Sequence, residues 1–161
     1  MREILWVIEH YRIFGIAGIA VILLGTLLSA MFYRGKTGER YSSLNHYISE
    51  LGEVGVTPAA WIFNLSLILG GLAMIPFLLG LGLTIDTTWS LLAMLAGFWA
   101  VVSMILVGFF PMNQMEPHAK VAISYFRGGL VTMLLFSLAI ALQPSGQSIF
   151  PRYAAVFGAV A

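Results

Sequence analysis

Apolar residues gather in four long runs, 13–33, 60–83, 89–110 and 121–142, separated by short polar links and one longer polar segment. Each run meets the length of about 20 apolar residues that a helix needs to cross roughly 30 Å of hydrocarbon. The pattern predicts an all-α fold: a polytopic transmembrane helical bundle, one domain over 1–161, multi-pass in the cell membrane. A fifth apolar stretch, 149–161, contains Pro151 and Arg152 and stops short of a crossing length. It reads as a truncated fifth span or as a partial, interfacial helix.

Residues 1–12 scatter Arg2, Glu3, Glu9, His10 and Arg12 among apolar positions, which suits a helical lead-in lying in the membrane interface, with Trp6 and Tyr11 at headgroup level. The apolar run that follows is too long for a signal peptide and is read as a retained first helix. Its Gly15, Gly18, Gly25 and Ser29 predict a face where another backbone comes close. The second run holds Asn64, Ser66, Gly70, Gly71 and Pro76, the last a defect that bundled helices tolerate. The link between the second and third runs is short, so those spans are antiparallel neighbours.

The long polar segment, 34–58, holds most of the charge. Ser42 or Ser43 there is placed to cap a short amphipathic helix over 44–51, and Gly52 to end it. Leu44, Tyr47, Ile48 and Leu51 would form its apolar face, and His46, Ser49, Glu50 and Glu53 the other. Such a helix would lie across one mouth of the bundle.

Composition narrows the function. Only 9% of residues are charged and the net charge is +1, so there is no basic stripe for nucleic acid. With no cysteine, thiolate nucleophiles and Cys-ligated metals are excluded. Facing spans carry no histidine pair for a bis-His haem, no span carries a lysine for a retinal Schiff base, and no glycine-rich loop cradles phosphate. Basic residues divide almost evenly between the two sides, which leaves the orientation open.

Alternation of helix direction puts the 34–58 segment and the 111–120 loop on the same side of the membrane. The candidate site gathered there is His46, Ser49, Glu50, Asn113, Glu116 and His118, with Asn64 and Arg127 just below. Arg127, the one charge inside a predicted span, is expected to face the interior with Glu50 or Glu116 as its partner. Two imidazoles and two carboxylates are the chemistry of a metal site, with His46, Glu50 and His118 as the candidate ligands, or of acid–base work on a lipid ester. The spacing matches no known metal motif. The other reading is a hydrogen-bonded plug that ties loop to loop.

The segment 41–52, Tyr-Ser-Ser-Leu-Asn-His-Tyr-Ile-Ser-Glu-Leu-Gly, is followed by Asn64 and later by Gly-Phe-Phe-Pro at 108–111 and by His118. In these features the chain resembles the small archaeal and bacterial membrane proteins catalogued as domain of unknown function 998, over roughly 13–142. The resemblance implies a bundle of about six spans, each of membrane-crossing length, and marks Ser49, Glu50, Gly52, Pro111 and His118. No activity is established for that family, so the resemblance leaves activity and cofactors unknown.

The resulting expectation is a small membrane protein whose polar cap covers a shallow cavity reaching Arg127. The cap would bind a lipid headgroup or small amphiphile. The alternatives are a metal-dependent membrane hydrolase and a structural accessory subunit, with membrane lipids, a second copy or a partner membrane subunit as the partners.

Overall fold

The computed structural model describes residues 2–144 and 149–160, and among these it contains helices and no strand. Four long helices run up and down: α1 Arg2–Phe32, α2 Ala60–Ile85, α3 Thr88–Phe109 and α4 Met115–Ala141. All four are long and apolar enough to cross a membrane. Much of their large apolar surface, including Ile16, Leu24, Leu27, Leu95 and Leu130, faces outward, as expected of helices whose solvent is lipid. The protein is a transmembrane helical bundle.

The lead-in and the first span form one helix. α1 is continuous over 31 residues, about 46 Å at ~1.5 Å per residue, so its charged first turns extend beyond the hydrocarbon thickness. α2 passes through Pro76 without a break. At its end Asp86 adopts a left-handed conformation (φ 49°) and its amide donates to the Gly82 carbonyl. Thr87 and Ser90 then cap α3 reciprocally: the Thr87 hydroxyl accepts the Ser90 amide (3.1 Å), and the Ser90 hydroxyl accepts the Thr87 amide (2.9 Å).

Packing follows chain order, α1 on α2, α2 on α3 and α3 on α4, while α1 and α4 do not form a packed pair. Small residues set the closest approaches. A methyl at Gly25 would collide with Ser66 across the α1–α2 contact, and one at Gly128 would meet the Ala100 backbone at 3.1 Å between α3 and α4. Two apolar clusters fill the interior. Tyr33, Leu51, Phe63, Leu67 and Met104 pack at the end closed by the 34–58 segment; Leu78, Ile85, Val101 and Phe136 pack toward the other.

The expected helix over 44–51 is replaced by a turn and a short 3₁₀ helix. Residues 42–46 fold into a turn closed by the Ser42 carbonyl, Tyr47 is extended (ψ 144°), and a 3₁₀ helix, η1, occupies Ile48–Gly52. The extended Tyr47 breaks the helical register, so Leu44 of the expected apolar face is 92% exposed. Residues 145–148 of the last link lie outside the described residues. Within 149–161 the structure shows a seven-residue helix, α5 Ala154–Val160, too short to cross the membrane and packed along α4.

Candidate functional site

The polar residues at the η1 end form two assemblies. The first is a scaffold around Glu50. Its Oε1 accepts the Tyr47 amide (2.8 Å) at the N-terminus of η1, and its Oε2 accepts the Tyr33 hydroxyl (2.9 Å) from the end of α1. The Glu50 carbonyl also accepts the Thr57 hydroxyl (2.9 Å). One step on, the buried Asn64 of α2 donates from Nδ2 to the Gly52 carbonyl (3.0 Å), and a side chain at Gly52 would collide with Asn64 and Phe63. The helix ends α1 and α2 are thus laced to η1 through buried polar groups with partners.

His46 belongs to the same scaffold. Its ring lies 5.2 Å from Tyr33 and 5.8 Å from Tyr41. Nδ1 accepts the Ser42 amide (3.1 Å), which leaves Nε2 facing Glu39 Oε1 at 3.6 Å. Glu39 accepts both the Thr37 hydroxyl (2.6 Å) and the Thr37 amide (2.9 Å). Led by the Thr37 hydroxyl, these bonds lower its carboxyl to about 2. Burial first, then the bond to the Glu50 carboxylate, raises the Tyr33 hydroxyl well above its ordinary value. Tyr41 moves the same way, chiefly through burial.

The second assembly is a cavity of about 340 Å³ beneath η1. Its walls are Ile22 and Thr26 of α1, Tyr47, Ile48 and Ser49 at η1, Phe63 and Leu67 of α2, Met104 and Val107 of α3, and His118, Ala122, Tyr125 and Phe126 of α4. It occupies the space that the unpacked α1 and α4 leave between them. Most of its wall is apolar, with the polar atoms of His118, Ser49 and Tyr47 near the η1 end and Thr26 and Tyr125 lower on the walls. His118 is buried, and its Nδ1 donates to the Phe110 carbonyl (2.8 Å) where α3 ends. With Nδ1 as the donor, Nε2 is the ring nitrogen left to act as an acceptor. Ser49 joins the roof to the α3–α4 turn by a hydroxyl contact to the Met112 sulfur (3.4 Å). A shallower cleft of about 260 Å³ shares Tyr125 and Phe126 with the cavity and continues along α4 past Gly129 to Met133.

The structure therefore divides the residues singled out in the sequence. Ser49 and His118 line the cavity; Glu50, Asn64 and His46 form the scaffold above and beside it. Asn113 is exposed on the turn before α4. Glu116 and His118 part company because α4 already begins at Met115. Two residues on a helix are about 200° apart, so His118 turns inward while Glu116 pairs with Lys120 on the surface (2.7 Å). Arg127 is nine residues from His118, about two and a half turns, and is exposed on the opposite face of α4. Neither expected partner reaches it: Glu50 is engaged by Tyr33 and Tyr47, and Glu116 by Lys120. The grouping of His46, Glu50 and His118 around a metal is not formed, for among the described residues no three His, Asp or Glu side chains lie close enough to share an ion.

Thr26, Tyr47 and Tyr125 line the cavity without having been singled out as polar site residues. Tyr125 carried a signal, since it lies seven residues after His118 and therefore on the same helical face. Thr26 carried only its hydroxyl among leucines.

The sequence profile of a family described as protein of unknown function (DUF998) matches residues 16–161. Neither the curated proteins nor the solved structures contain a match to the chain.

Proposed function

Since the chain belongs to the DUF998 family, whose description names no activity, we propose from its own geometry that it binds a membrane amphiphile in the cavity between α1 and α4. The observation that carries this reading is a mostly apolar cavity, unclosed between two lipid-facing helices, with its polar groups concentrated at the end near the membrane surface. A headgroup would meet the His118 Nε2 acceptor and the Ser49 hydroxyl beneath η1. An acyl chain would run down α4 past Ala122 and Tyr125 into the cleft at Gly129 and Met133. From His118 to Met133 the helix rises about 22 Å, the scale of a long acyl chain. Apolar walls with a few convergent polar groups are the usual make-up of a small-molecule site.

The test is native mass spectrometry of the detergent-purified protein, with delipidation and re-addition of defined lipids. Ala122→Trp fills the cavity from its α4 wall and is expected to abolish retention of the lipid. His118→Asn keeps a donor for the Phe110 carbonyl and removes the Nε2 acceptor; it is expected to weaken headgroup selectivity while leaving the fold intact. Equal lipid retention by Ala122→Trp and the unmodified protein would overturn the proposal.

A further inference from the structure

The opposite face of α4 poses a separate problem. Arg127 lies twelve residues from the start of α4 and fourteen from its end, at the middle of a candidate span. The neighbouring Gly128 packs on Ala100, itself mid-way along α3, which fixes the same depth independently. Arg127 is nonetheless exposed, and among the described residues it makes no hydrogen bond or ion pair. From its position the helix rises about 10 Å before reaching Lys120, which pairs with Glu116 on the surface, farther than an arginine side chain extends. A cation at this depth is costly in hydrocarbon, and such residues ordinarily face a partner. Ile123, Leu130, Val131 and Leu134 surround it with exposed apolar surface.

We propose that this face of α4 docks a transmembrane helix of another polypeptide that presents a carboxylate at mid-bilayer to Arg127. Charge complementarity selects the partner: the guanidinium matches a carboxylate in a two-bond fork, and the pair is strong where water is absent. A second copy of the 161-residue sequence does not supply the group. Its seven acidic residues are Glu3 and Glu9 at the start of α1, Glu39, Glu50 and Glu53 in the polar segment, Asp86 between α2 and α3, and Glu116 at the start of α4, none of them mid-span. Arg127 and His118 lie on opposite sides of α4, and only Leu130 is shared between the Arg127 surface and the cleft below the cavity, so binding of the Glu peptide can be read separately from amphiphile binding.

The test uses the whole protein, fluorescently labelled in phosphatidylcholine vesicles, with a labelled poly-leucine peptide of membrane-spanning length carrying one central Glu, and an otherwise identical all-leucine peptide. The Glu peptide is expected to associate at least about tenfold more tightly, as read by energy transfer. That advantage should vanish in Arg127→Leu and persist in part in Arg127→Lys, with unchanged helix content confirming that both variants fold. Equal association of the two peptides overturns the proposal, as does a Glu advantage that survives in Arg127→Leu. Loss of the advantage when phosphatidylglycerol is added also overturns it, because a net anionic lipid headgroup, which phosphatidylcholine does not offer, would then be the arginine's partner.

Discussion

The Glu50 scaffold and the cavity beneath it share one end of the bundle and draw on the same short stretch of chain, yet their polar groups behave oppositely. In the scaffold both carboxylate oxygens of Glu50, the Tyr33 hydroxyl and the Asn64 amide nitrogen are committed to partners within the protein. In the cavity, His118 spends one ring nitrogen on the Phe110 carbonyl and keeps the other as an acceptor beside apolar walls. A concentration of ionisable residues can be consumed by the fold, as it is around Glu50, whereas hydrogen-bonding capacity left over after folding is what a ligand could use.

The sharpest way to break that contrast is Glu50→Ala. It removes two bonds to a charged acceptor and leaves the buried Tyr33 hydroxyl without its partner, so stability should fall by about 3 kcal/mol, measured by denaturant unfolding in detergent micelles. Lipid retention by the fraction that remains folded should be unchanged. Asn64→Ala strips the Gly52 carbonyl of its donor and should cost about 2 kcal/mol in the same assay.

Tyr33→Phe should cost about 1 kcal/mol and should also change the alkaline limb. The Tyr33 hydroxyl is raised above its ordinary value of 10.0, so its contribution is fully present below pH 10 and is lost as pH rises through the higher folded value. The phenylalanine variant should be less sensitive to pH above 10. Glu39 gives the smallest effect and the opposite sign. Its carboxyl is lowered from 4.5 to about 2, so its contribution is complete above pH 4.5 and disappears as pH falls toward 2. Glu39→Gln should flatten the stability profile slightly in that acid window and nowhere else, since the group is exposed and screened by solvent.

The four spans were legible because crossing a membrane is a requirement on length and apolarity, both of which are local properties of sequence. The small residues of the first span were legible for the same reason: Gly25 does meet the second helix, at Ser66. The roof was not. Its amphipathic pattern suited an α-helix, but the outcome turned on Glu50 reaching back to the Tyr47 amide and across to Tyr33, a residue 17 positions away. The facing of Glu116 and His118 depended on whether α4 began before or after them, a shift of a few residues that reverses a side chain's direction. Arg127 was placed in the interior by the general rule for membrane charges, but which face of α4 turns inward was decided by packing, with the neighbouring Gly128 set against Ala100.

The two-residue link between α2 and α3 also bears on how the protein is made. With only Asp86 and Thr87 between Ile85 and Thr88, and the link held by the Asp86 amide and the Thr87–Ser90 exchange, no slack exists for one span to enter the bilayer and wait for the next. The pair must be delivered as a hairpin, and whichever way α2 is threaded, α3 inherits the reverse. Topogenesis in this half of the protein is one decision rather than two.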